Sequence, residues 1–449
     1  MAEGGGTLST LGRRSRLFRF VAIAFALASI ETTTQGMYWV AYGRFMSVST
    51  AVVNRAGLAN GEDQPLKSSV FRPLFTEMVP EEMNPYVGYT YGTGGERREG
   101  YLADYGFNDN KRLITESDDK KYVVGIFGGS VAGQVYDVLP EHLTHALTQA
   151  SGLGDRKIVL ENFSEPGWKQ PQQLFALVYL LQLGAHLDAV INLDGFNEVA
   201  LVGENIEKGV FAHYPRNWFW RSQQITDPEL LKIQKHLVVL RESRRKWASM
   251  CSLGWPLEWS PFFNILWEAR DLHLAGQEFD EKKTLYNYRK EGELAHEVKG
   301  PTRTYVGSKA VYQDASLSWV RASTQMSQIC RANGISYFGF VQPNQYVPGS
   351  KPKMSREESL IAFDQGAPYS SAVSEGYALL LAEIPGLRSK GVVVTDLTQI
   401  FHDVPEVVYS DSCCHFNERG LNVIAERMAE TIRETLISDG RLALDSHRQ

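Results

Sequence analysis

Four segments of this chain carry polar residues of the types that nucleophilic catalysis needs. The first holds Ser130, in YVVGIFGGSVAGQ (122–134), where an apolar run stops at Gly128 and Gly129 and small residues follow. Such a run bounded by glycines is expected to be a buried parallel strand ending in a tight turn. A serine there stands at the carboxyl edge of a sheet, where ligands of open α/β sheets bind. A serine hydroxyl is a weak nucleophile until a base takes its proton, and histidine suits that task near neutral pH. His415, in YSDSCCHFNERG (409–420), is the candidate base, and Asp411 is the candidate group that orients its ring and stabilises its protonated form. Acyl transfer also creates an oxyanion. Ser130 N–H, Gly167 N–H and the Asn197 side-chain amide could hold it, each such donor being worth about 3 kcal/mol.

Every one of these residues also has a plainer reading. Ser130 could be the N-cap of a following helix. Gly167, after Pro166, could be a turn glycine, Asn197 a helix cap and His415 a surface residue. Asp194 and Glu198 flank Gly195 and Asn197 and look catalytic, yet they suit a structural task better, holding loops through backbone N–H groups. His402 with Asp403 is a rival base pair. Cys413 and Cys414 read as packed thiols, and a bridge between such neighbours would be strained.

The elements that must position these residues follow a βα rhythm. Strands are expected at 122–127, 157–160, 188–193, 336–341 and 391–396, and helices at 139–150, 172–183, 310–333, 369–384 and 418–438, with Gly334 capping the third helix. Five strands separated by helices imply a parallel sheet covered on both faces. The expected fold is therefore α/β: a three-layer α/β/α, flavodoxin-like five-stranded parallel sheet. The rhythm breaks over 203–310, a helical insertion between strands three and four. It holds six tryptophans (Trp218, Trp220, Trp247, Trp255, Trp259 and Trp267) that suit a small core, an aromatic lid or a membrane-facing surface. Ser130, Gly167, Asn197 and the Asp411–His415 pair follow different strands, so a parallel sheet brings them to one edge.

At this point the chain resembles the SGNH/GDSL hydrolases. GGS (128–130) matches the serine block after strand one, Gly167 the glycine after strand two, and Gly195, Phe196 and Asn197 the GxN block. His415, with Asn417 and Gly420 after it, matches the last block. The departure is Asp411, which precedes His415 by four residues where the family has three. The resemblance covers 121–200 and 310–440. It implies a serine esterase with Ser130, His415 and Asp411 as triad and Ser130, Gly167 and Asn197 as oxyanion hole, in the membrane-anchored or secreted bacterial branch that acts on cell-surface carbohydrate or lipid esters. An O-acyltransferase modifying an exported polysaccharide, and a non-catalytic binding or assembly protein on the same scaffold, are the alternatives. No cofactor and no metal are expected.

The amino terminus suggests export. Arg13, Arg14, Arg16 and Arg19 precede an apolar run, Phe20 to Ile30, that Glu31 ends. That is a signal layout, with Ala26 and Ala28 as a cleavage site, or an anchor continuing through Met37 to Tyr42. The run is short of the roughly 20 residues that span a bilayer. Either reading places the bulk of the chain on the extracytoplasmic side, anchored through this segment or secreted after cleavage; a basic amphipathic helix on a cytosolic protein is the alternative. Residues 1–46 are thus a signal or anchor, 47–120 an amino-terminal extension packing on the main domain, and 121–440 that domain. Within the extension, Asn84 to Gly94 reads as an edge strand or hairpin and Asp104 to Asn110 as a turn. The 449 residues carry a net charge of −6 with acids and bases well mixed, which argues against nucleic acid as a partner. The four cysteines match no zinc spacing, and a Cys251–Cys330 bridge stays open.

Overall fold

A computed structural model describes residues 7–60, 81–91, 105–107, 111–148, 150–151, 153, 156–223, 228–252, 254, 257–288, 294, 296–363, 369–440 and 443–444. In chain order the main elements are α1 (Thr7–Tyr42), α2 (Val48–Ala59), β1 (Lys121–Gly128), α3 (Ser130–Thr148), β2 (Lys157–Ser164), α4 (Gln172–Gln182), β3 (Ala189–Asp194), α5 (Pro228–Met250), α6 (Pro261–Asn287), α7 (Gly307–Ala332), β4 (Ser336–Val341), α8 (Tyr369–Ser389), β5 (Val394–Asp396) and α9 (Glu418–Ser438). Trp255, the ends of the expected hairpin and turn, and the side chains of Arg13, Arg14 and Arg16 lie outside the described residues. The chain forms two compact units, one from residues 1–71 and 223–291, the other from 72–222 and 292–449.

The second unit is α/β. Its five-stranded parallel sheet runs β2-β1-β3-β4-β5. β1, β3 and β4 are buried nearly end to end, without alternation, as in a sheet covered on both faces. α3 packs with α9, and α7 packs with α8 and α4, an arrangement compatible with three layers. The register levels the carboxyl ends: Gly128 lies opposite both Ser164 and Leu193, Asp194 opposite Val341, and Val341 opposite Asp396. The chain turns from β1 outward to β2, then returns past β1 to β3, so the crevice between β1 and β3 is a topological switch point.

Some boundaries differ from the sequence reading. α3 begins at Ser130, not 139, because the small residues after Gly129 form its first turn; a side chain on Gly133 would crowd Ser164 Oγ. β2 runs on to Ser164 through the buried Glu161, whose carboxylate accepts Ile114 N–H at 3.2 Å. β5 starts at Val394, since Gly391 and Val392 N–H are bonded back to Arg388 and Leu387 at the end of α8. Glu81–Asn84 and Gly88–Tyr91 form an antiparallel hairpin, with Asn84 Oδ1 accepting Tyr86 and Val87 N–H in the turn.

The first unit is helical. α2 and α5 pack on α6, around Ala51, Leu58, Ala248, Cys251 and Trp267, with Trp247 beside them. Arg55 is buried here, bonded to Asn264 Oδ1 at 2.6 Å, paired with Glu258 and flanked by the Phe263 and Trp267 rings. Arg241, Arg244 and Lys282 converge on Glu278. Glu31 does not end a helix. α1 continues past it, and its carboxylate accepts from Ser260 Oγ and from Phe262 N–H at the start of α6, where a negative charge offsets the helix dipole. The α1 side chains Phe18, Val21, Ile23, Phe25, Leu27 and Ile30 are exposed. Among the described residues, no helix is long and apolar enough to cross a membrane. Of the tryptophans, Trp267 is buried in the helical unit and Trp259 is exposed.

Candidate active site

Ser130 opens α3 straight after β1. Gly128 (φ +149°) lets the strand end this way, because a Cβ there would lie 2.3 Å from Leu193 O of β3. Ser130 Oγ lies 2.8 Å from His415 Nε2, so the hydroxyl faces the histidine. His415 Nδ1 lies 2.6 Å from Asp411 Oδ2. The carboxylate assigns the proton to Nδ1 and leaves Nε2 as acceptor for the serine. All three residues are therefore joined as one chain of hydrogen bonds, although Ser130 and His415 are far apart in sequence.

The four-residue spacing has a local cause. Asp411 Oδ1 accepts the N–H groups of Cys413 (2.9 Å), Cys414 (3.0 Å) and His415 (3.2 Å), so the segment curls around the carboxylate and brings the ring to Oδ2. Burial alone would raise the Asp411 pKa, but the His415 bond and charge and the backbone N–H groups hold it down to about 2. The carboxylate is ionised at any pH at which histidine can act as a base.

This curl is held from β4. Asn344 donates to Cys413 O at 3.0 Å, Gln345 to Asp411 O at 3.3 Å and Tyr346 O–H to Ser412 O at 2.9 Å. Below it, Glu358 accepts Val408 and Tyr409 N–H and pairs with the buried Lys351 at 2.7 Å. Asn417 caps α9 through Gly420 N–H and donates to Val407 O. Sequence reading missed Asn344, Gln345, Tyr346, Lys351 and Glu358; the first three were signalled only by a polar stretch, QPNQY, directly after a buried strand, and Lys351 and Glu358 by nothing.

The oxyanion candidates converge on the same edge. As the first residue of α3, Ser130 has an N–H with no intrahelical partner. Asn197 Nδ2 donates to Trp168 O at 2.7 Å, and the amide keeps a second N–H. It sits tight over Gly129, where a Cβ would fall 2.2 Å from Asn197 Nδ2. Gly167 (φ +76°) takes a left-handed conformation that favours glycine, and among the described residues no backbone carbonyl accepts its N–H. The hairpin fixes this loop at both ends: Tyr89 O–H donates to Pro166 O at 2.9 Å, and Trp168 Nε1–H donates to Tyr89 O at 3.1 Å.

Asp194 and Glu198 lie beneath the loops. Glu198 accepts Gly195 N–H (2.6 Å) and Gln170 N–H (3.0 Å), tying the loop after β3 to the loop after β2. Asp194 is held by side chains instead, Trp319 Nε1–H at 3.0 Å and Asn192 at 2.5 Å. Burial raises both carboxyls, and Glu198 further raises Asp194. The rival pair His402–Asp403 is exposed and shares its carboxylate with Lys353. All four cysteines are free thiols. Cys413, Cys414 and His415 offer ligand atoms within 4.8 Å of one another, but a metal ion there would have to displace Ser130 or Asp411 from the histidine. A cavity of about 160 Å³ lined by Tyr122, Arg156, Asp188 and Ser336 sits at the opposite, amino edge of the sheet, away from this chemistry.

No family model matches the chain, and comparison with curated proteins found no match.

Proposed function

We propose that the protein is a serine esterase that cleaves an acyl or acetyl ester through an acyl-enzyme, on a flavodoxin-like α/β/α scaffold of SGNH type. The reading is supported above all by the unbroken run Ser130 Oγ–His415 Nε2, His415 Nδ1–Asp411 Oδ2 at 2.8 and 2.6 Å. Ser130 Oγ attacks the ester carbonyl carbon while His415 Nε2 takes its proton. Asp411 holds the ring and offsets the charge that forms on it. The carbonyl oxygen becomes an oxyanion within reach of Ser130 N–H, Gly167 N–H and the second Asn197 N–H. His415 then protonates the departing alcohol, and water, activated by the same histidine, releases the acid. Asp411 reaches His415 despite its spacing, which favours this reading over a non-catalytic scaffold.

An extracytoplasmic site of action, with α1 as the contact to the membrane, belongs to the same proposal. It is supported by the basic residues before the apolar stretch and by the exposed apolar side chains of α1. Recovery in a soluble cytosolic fraction would overturn it. Hydrolysis of 4-nitrophenyl acetate tests the activity. We expect turnover in the intact protein and none above background in Ser130→Ala; equal rates in both would refute the assignment.

A further inference from the structure

We infer that Arg216 sets a fixed positive charge beside the oxyanion site and stabilises the charge that develops there. The inference rests on the esterase reading above, and it adds a residue that no motif contains. A Cβ placed on Gly167 would lie 2.7 Å from Arg216 Nε, 2.8 Å from Cζ and 3.0 Å from Nη1. Three guanidinium atoms nearly equidistant from one point mean that the plane of the group lies face-on against Gly167. Gly167 is therefore bare for two reasons, its backbone conformation and the cation that fills the side-chain position.

Arg216 belongs to a segment held rigidly at successive carbonyls. Tyr214 O accepts from Lys169 Nζ and from Asn205 Nδ2. Pro215 O accepts from Asn205 at 3.2 Å, and Arg216 O from Arg221 Nε at 2.9 Å. The Pro215 ring fills the space beside Gly88 of the hairpin, and the Arg221 guanidinium covers the Tyr89 ring at 3.8 Å. The hairpin that fixes the Gly167 loop thus also fixes the segment carrying the guanidinium. Lys169 and Arg216 both face Glu204, a carboxyl that burial pushes toward its neutral form and the two cations pull back. Glu198, the next acid, lies on the Lys169 side and is raised by burial as well. A held charge costs no reorganisation when the transition state forms, and it acts more strongly on the oxyanion than on the neutral ester.

The test uses the full chain, an uncharged substrate (4-nitrophenyl acetate) and an uncharged alkyl fluorophosphonate, with Arg216→Gln and Arg216→Lys. For Arg216→Gln we expect kcat to fall about 10- to 100-fold with KM changed less than about 2-fold, and the rate constant of Ser130 phosphonylation to fall in parallel. Arg216→Lys, which keeps charge without the planar fork, should recover at least about 3-fold of the loss. An unchanged kcat and labelling rate in Arg216→Gln would overturn the inference. A rise in KM alone, or equal losses in the Gln and Lys variants, would also overturn it, since these point to substrate binding or to packing. An intact wild type that neither hydrolyses nor takes label would defeat the esterase reading itself, an outcome separate from these.

Discussion

At Asp411 one carboxylate performs two tasks. Oδ1 gathers three successive N–H groups and Oδ2 orients the His415 ring. Removing its charge while keeping its shape, Asp411→Asn, should lower kcat about 10³- to 10⁴-fold, whereas Asp403→Asn at the exposed rival pair should leave steady-state rates unchanged. Asn197→Ala removes one oxyanion donor and should cut kcat about 10²-fold or more with little effect on KM; a loss carried by KM alone would reduce Asn197 to a tie on Trp168 O. Ser130, Gly167 and Asn197 were legible because each stands just past a buried run, and His415 because Asn417 and Gly420 follow it at the start of the last helix. The role of Asp411 was legible only as a residue out of step, because the curl that corrects its spacing is made by backbone N–H groups. Arg216 left no trace in the sequence. Its place depends on Lys169, Asn205, Arg221 and the hairpin, none of which neighbours it in a recognisable pattern.

Among the elements, the loop after β4 and the buried Lys351–Glu358 pair carry the segment that presents Asp411. Lys351→Met leaves the Glu358 carboxylate buried without its cation and should cost about 3–5 kcal/mol, read from urea denaturation. Tyr346→Phe, which removes the bond to Ser412 O, should cost no more than about 1 kcal/mol while lowering kcat through a loosened Asp411. β1, β3 and β4 were legible to within two residues from their apolar runs, and α9 over its whole length. The start of α3 was not, since Ser130 to Gly133 reads as turn by composition and is helical because small residues let α3 approach β2. The use of the Glu31 carboxylate at the start of α6, far along the chain, left no signal in the sequence either.

Over the whole molecule, residues 223–291 form one unit with the amino-terminal helices, a pairing between distant segments that periodicity cannot reveal. Its charge network gives the chain a measurable acid response. Burial would raise Glu278, but Lys282, Arg244 and Arg241 bring it down to about 2 from 4.5. Because Glu278 binds its proton less readily folded than unfolded, its stabilisation is complete above pH 4.5 and is lost as pH falls toward 2. Melts followed by tryptophan fluorescence should show the wild type losing stability across that window. Glu278→Gln should be less stable at pH 7 by about 1–3 kcal/mol and respond less to acid.

The central claim is that Ser130 is a nucleophile activated by His415. Fluorophosphonate labelling of the folded chain, followed by peptide mass spectrometry, tests it most directly. The geometry predicts one adduct, on Ser130, formed at least about 10²-fold more slowly in His415→Ala. A folded wild type that takes no label at Ser130, or labels equally fast without the histidine, would contradict it.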